Sequence, residues 1–147
     1  SCGGWIGAKL IWKLKNIIGY VGIASAPDFT KDLMWNTFSK NAKKIINSGK
    51  VYKLKNDYDS FYPIGKPLIK GGEKNLILNK TKKCSFPIRL FHGLKDNVVP
   101  VIYSYKLANT LVSKDTMILL QSNGDHSLSA PDDLKRIGKE ILEISQS

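Results

Sequence analysis

Residues 86–100, Phe86-Pro87-Ile88-Arg89-Leu90-Phe91-His92-Gly93-Leu94-Lys95-Asp96-Asn97-Val98-Val99-Pro100, constrain this chain more than any other stretch. Ile88, Leu90 and Phe91, bounded by Pro87 and Gly93, read as a short buried strand. The strand breaks at the glycine and presents Asp96 shortly before a proline able to open a helix. A carboxylate just past the carboxyl end of a strand lies where open α/β sheets place their chemistry. A second strand pattern over 116–121 is followed by Gly124-Asp125-His126. An acid and a histidine, each after a strand and in that order, point to a nucleophile further upstream, and Ser1-Cys2-Gly3-Gly4-Trp5 opens the chain.

The rest of the pattern alternates. Residues 5–16 read as a helix, with Ile6, Ala8, Leu10, Ile11 and Leu14 as its apolar side. Residues 17–24 form a β-branched and aromatic run suited to a parallel strand covered on both faces. Asp28 or Thr30 caps a helix over 31–38, and Ser39 caps a second one that ends at Asn47-Ser48-Gly49. Residues 51–54 suit a small strand, 56–60 are turn chemistry, and 67–70 begin a helix that Gly71-Gly72 closes or kinks. Lys80-Thr81-Lys82-Lys83 reads as an exposed approach to the Phe86 strand. An amphipathic helix over 101–112 turns Leu107, Ala108 and Leu111 inward. Pro131, with Asp132 and Asp133 behind it, opens a last helix with Leu134, Ile137, Ile141 and Leu142 inward. Helices alternating with strands predict an α/β fold on a parallel sheet. The stretch between its first two strands, about 25–85, is too long for a plain crossover and is expected to be a helical lid insertion in a single partial domain, 1–147.

Composition excludes more than it identifies. The chain has 147 residues and a formal net charge of +11. Its positive charge is nearly all lysine, with Arg89 and Arg136 the exceptions, and it is scattered. Nucleic-acid recognition draws on arginine's planar fork, so a solvated basic surface is expected and no nucleic-acid partner. No apolar run approaches the ~20 residues that span a bilayer. Cys2 and Cys84 have neither metal spacing nor a disulfide framework, so a reducing, cytoplasmic setting and no metal are expected.

A serine hydroxyl is a weak nucleophile until a histidine takes its proton and a carboxylate steadies the imidazolium. Ser1, Asp96 and His126 occur in the order Ser…Asp…His. At Ser1 the glycines following a nucleophile elbow are present, and the backbone N–H of Cys2 is a candidate oxyanion donor. Each residue has a plainer reading. Ser1 can be an arbitrary first residue and Asp96 a helix cap. Asp125 is a rival acid, but as the neighbour of His126 it reaches the same ring poorly. His92, at a strand end, reads as a packed, hydrogen-bonded histidine. Phe29, Met34, Trp35 and Tyr62 suit an acyl pocket and a plain core equally well.

Four stretches together resemble one branch of the α/β-hydrolase superfamily: Ser1 to Trp5; Gly22-Ile23-Ala24-Ser25-Ala26-Pro27-Asp28-Phe29-Thr30 with Asp32-Leu33-Met34-Trp35; His92 to Pro100; and Gly124-Asp125-His126. That branch joins alphaproteobacterial hydrolases to a mitochondrial palmitoyl-protein thioesterase and acyl-glucuronide esterase. The resemblance covers essentially the whole chain. It implies the C-terminal portion of such a fold, with Ser1 as nucleophile, Asp96 as acid and His126 as base. It further implies an ester or thioester substrate, as a small molecule or an acylated protein, and no metal or organic cofactor. Family members carry further strands before the nucleophile, together with the second oxyanion donor. Two expectations follow: unless it is cut from a longer one, the chain is unstable and nearly inactive; alternatively it is a catalytically inactive C-terminal remnant of a split gene, with no function or in need of a separately encoded N-terminal half.

Overall fold

A computed structural model describes residues 1–55 and 60–146. The chain divides into two compact units, Ser1–Pro27 with Ile77–Ser147, and Asp28–Leu76.

The first unit is built on a three-stranded parallel sheet, β1 (Tyr20–Ile23), β5 (Ile88–Gly93) and β7 (Thr116–Gln121), in the order β1-β5-β7. Tyr20 lies beside Ile88, and Ile88 beside Thr116. Every residue of β5 is buried, as a central strand covered on both faces requires. Arg89 is tolerated there because its guanidinium takes Asp115 in a bidentate pair, at 2.8 and 3.1 Å, and Glu140 at 2.8 Å. Helices α1 (Cys2–Leu10), α4 (Ile102–Thr110) and α5 (Pro131–Gln146) complete this unit.

A smaller parallel pair joins β4 (Lys82–Cys84) to β6 (Leu111–Ser113). The lysine-rich approach to β5 is therefore partly a strand, and the helix expected over 101–112 stops at Thr110 so that Leu111 can pair. The first helix also differs from expectation. It starts at Cys2 and ends at Leu10, burying Trp5 and Ala8. In α5 the inward side chains are Ile137 and Ile144, whereas Leu134, Ile141 and Leu142 are exposed.

The second unit holds a π-helix (Thr30–Trp35), α2 (Lys40–Asn47), an antiparallel pair of β2 (Tyr52–Lys55) with β3 (Phe61–Ile64), and α3 (Lys66–Lys74). Ser39 caps α2 by accepting from Ala42 N at 3.1 Å. The π-helix takes Phe29 as its N-cap residue, with no side-chain cap bond, in place of the capped α-helix expected there. Helix α3 runs through Gly71 and Gly72 instead of closing at them. At Gly72 a side chain would collide with Thr30, so the glycine serves packing within the unit. Ile46, Ile64 and Ile69 form the buried cluster, with Met34, Trp35, Phe38, Tyr52 and Leu54 against it. The turn expected at 56–60 lies, apart from Ser60, outside the described residues. The unit is narrower than 25–85 because residues from Ile77 onward belong with the sheet.

Candidate active site

The carboxyl ends of β1, β5 and β7 gather the candidate residues. Asp96 stands in the loop between β5 and α4, its side chain 1% exposed. Oδ1 accepts from the backbone N–H groups of Val98 and Val99, each at 2.8 Å. Oδ2 lies 2.8 Å from His126 Nδ1. The carboxyl pKa is the net of opposing effects. Burial alone raises it, while the Val99 and Val98 N–H bonds and the bond and charge of His126 carry it below the usual value. The cap reading of Asp96 is met locally, since it organises its own turn, and the same carboxylate still holds His126.

His126 sits in the loop between β7 and α5, with its ring 29% exposed. Asp96 engages Nδ1, so Nε2 is the ring nitrogen not bonded to the carboxylate. Asp125 does different work. Its Oδ1 accepts from Ser127 N, Ser127 Oγ and Leu128 N, so it shapes the loop beside the histidine. Leu128 adopts φ +48°, a strained backbone for a branched side chain, and is buried against Phe91 and Ile137. Two main-chain bonds clamp this loop to the Asp96 loop: Leu94 N to Gln121 O and Lys95 N to Gly124 O, each at 2.9 Å. Gly93 makes the clamp possible, because a Cβ there would run into the backbone of Gly124 and Asp125.

Ser1 precedes the first turn of α1 and lies at the end of β1. Tyr20 N and Ala24 N donate to Pro87 O and Phe91 O, so the odd-numbered peptide groups of β1 face away from β5. The Ser1 amine takes one of these, Ile23 O, at 3.0 Å, and Ser1 O accepts from Ala26 N at 3.1 Å. Burial lowers the pKa of this amine, while Cys2 and the carboxylate of Asp96 oppose that shift. Cys2 is the first residue of α1, where backbone N–H groups have no partner within the helix. The start of α1 is seated by Tyr20, whose hydroxyl donates to Gly4 O at 2.7 Å. A side chain at Gly4 would collide with buried Ser25, whereas one at Gly3 meets nothing within 4 Å. Of the two glycines, Gly4 is the one this turn requires.

The four pocket candidates all belong to the Asp28–Leu76 unit. Met34 and Trp35 pack on its isoleucine cluster, Phe29 is half-buried and Tyr62 is exposed. Sequence reasoning missed the partners of His92. It is fully buried at the end of β5, with Nδ1 2.7 Å from Ser104 Oγ, Nε2 2.8 Å from Val99 O, and Nε2 3.3 Å from Asp96 Oδ2. The four-residue spacing of His92 and Asp96 was the available signal.

A parallel sheet with an acid after its middle strand and a histidine after its edge strand, beside a serine at a helix start, is the C-terminal portion of an α/β-hydrolase fold. No family model matches the sequence. The chain is similar to the mitochondrial palmitoyl-protein thioesterase ABHD10 of Bos taurus, 30% identical over 98% of this chain and 48% of the relative. The Homo sapiens protein of that name is 28% identical over the same shares. Among solved structures, a putative hydrolase from Agrobacterium vitis S4 superposes with a TM-score of 0.91 at 28% identity, over 98% of this chain and 58% of that one. The mouse alpha/beta hydrolase domain-containing protein 10 gives 0.84 at 27% identity, over 99% and 59%. The chain spans about half the length of the curated relatives it matches. Among the described residues no helix is long and apolar enough to cross a membrane.

Proposed function

We propose that this chain supplies the catalytic residues of a serine hydrolase that cleaves carboxylic esters or thioesters, of acyl-protein or acyl-glucuronide type, through an acyl-enzyme. The observation that carries the reading is the 2.8 Å bond between Asp96 and His126 at the sheet end where Ser1 also lies. His126 Nε2 takes the proton of Ser1 Oγ as the oxygen attacks the acyl carbonyl. The N–H of Cys2 donates to the oxyanion. Collapse expels the thiolate or alkoxide, which leaves with the proton from His126. Water then repeats the sequence on the acyl-enzyme and frees the carboxylic acid. The names of the relatives support a thioester substrate.

A second element of the reading is an N-terminal half that pairs with β1, on this chain or on a separate one. It is favoured by β1, which has no strand on its outer side among the described residues, and by exposed Ile6, Leu10, Leu14 and Ile18.

The test is hydrolysis of a short p-nitrophenyl ester and of a palmitoyl thioester, with labelling by a fluorophosphonate. The chain is assayed alone and extended by the missing half of a relative, with Ser1→Ala as control. Turnover and labelling that vanish in Ser1→Ala support the enzyme. Activity confined to the extended form supports the need for the N-terminal half. Silence in both forms would leave the inactive remnant.

A further inference from the structure

We propose that His92, seated on Ser104, positions the Asp96 carboxylate and through it the ring of His126. The inference rests on the acid and base roles given above to Asp96 and His126, and its test reads the rings directly, apart from turnover.

A histidine in a fully buried strand must find partners for both ring nitrogens. Val99 O can only accept, so the nitrogen 2.8 Å from it, Nε2, carries a proton. The same nitrogen lies 3.3 Å from Asp96 Oδ2, so the ring that bonds Val99 O also stands against the carboxylate. Ser104, itself 1% exposed on α4, holds the opposite nitrogen at 2.7 Å and prevents the ring from turning.

Three hydrogen bonds therefore hold Asp96, from Val98 N and Val99 N on Oδ1 and from His126 Nδ1 on Oδ2, and His92 lies against Oδ2 at 3.3 Å. His92 also holds Val99 by its carbonyl, the residue whose N–H binds Oδ1, so it steadies the turn that orients the carboxylate toward His126. Without His92, Val99 O loses its anchor and the turn that binds Oδ1 is free to shift. A residue that merely filled the space would need bulk and no proton. His92 touches none of the reacting atoms and acts only through Asp96.

The chain contains two histidines, and both contact Asp96, so a nitrogen-15 spectrum of the imidazole rings resolves the whole arrangement. His92→Gln keeps a donor for Val99 O; His92→Leu keeps the bulk alone; Ser104→Ala releases the ring from behind. Asp96, the carboxylate bonded to His126, stays in place in all three.

In the wild type, His92 is expected as a single Nε2–H tautomer and neutral His126 as Nδ1–H. In His92→Leu, His126 is expected to become a tautomer mixture as its pairing with Asp96 loosens. His92→Gln is expected to stay near wild type. Fluorophosphonate labelling should slow roughly tenfold in the leucine variant and little in the glutamine one. A folded His92→Leu protein with an unchanged His126 tautomer overturns the proposal. If that variant does not fold, Ser104→Ala decides: mixed tautomers of His92 and His126 support the role, and unchanged rings overturn it. Shifts of this kind in a chain that is never labelled support the positioning role and remove the proposed activity.

Discussion

Gly93 and Gly124 lie so close that any side chain on Gly93 would occupy the backbone of Gly124, and this contact joins the Asp96 loop to the His126 loop. Gly93→Ala must push the two loops apart, since backbone cannot swing aside as a side-chain tip can. The expected cost is about 1–3 kcal/mol of stability, as for overpacking elsewhere. Urea unfolding measures it, and loss of the His126–Asp96 ring signal should accompany it.

Asp96→Asn keeps the shape and removes the charge. Labelling by a fluorophosphonate should slow by about three to four orders of magnitude, the scale set by neutralising a triad acid. The same variant tests the pH dependence of stability. Because the folded carboxyl titrates below its ordinary value of 3.8, its stabilising contribution is complete above that pH and fades as pH falls through the lower, folded value. The stability gap between wild type and Asp96→Asn should therefore narrow in acid below about pH 4. A gap that stays constant there would exclude the linkage.

Tyr20 titrates in the opposite sense. Burial pushes its phenol up to about 12, against the weaker pull of Ser25. The protonated phenol is the form that bonds Gly4 O, so its contribution is complete below about pH 10 and lost as pH rises toward 12. Tyr20→Phe should cost about 1 kcal/mol at neutral pH. It should also remove the last step of the tyrosine ultraviolet titration, a step that must be present in the wild type.

Arg89 carries the ion pairs that tie β5 to α5 and to the turn before β7. Arg89→Met strands Glu140, which is 12% exposed, and should lower stability by about 3 kcal/mol. Asp115→Asn should cost less, because Asp115 is 54% exposed and solvent already screens it. Equal losses from the two variants would contradict this ordering.

The strands over 88–93 and 116–121, the cap at Ser39 and the helix opening at Pro131 were legible in the sequence. Each follows from sterics and hydrogen bonding within a few residues, which leave a periodic or positional mark. The acid and histidine were legible for the same reason, since each lies just past a strand that announces itself. The exposure of Leu134, Ile141 and Leu142 was not, because an amphipathic pattern names an apolar face without saying how much of it is covered. The pairing of Lys82–Cys84 with Leu111–Ser113 was equally hidden, since a ladder depends on what lies alongside and not on neighbours in sequence.

By itself, then, the sequence determined a parallel α/β sheet and the residue types at its carboxyl end. Only the tertiary structure decided which carboxylate His126 takes. Asp125, its neighbour in sequence, turns back on its own loop to bind Ser127 and Leu128, while Asp96 is carried to the ring from a different strand. Only there, too, does His92 meet Asp96 and Ser104. A hydrogen bond is selected by distance and direction in space, and the packing of β5 between β1 and β7 sets both.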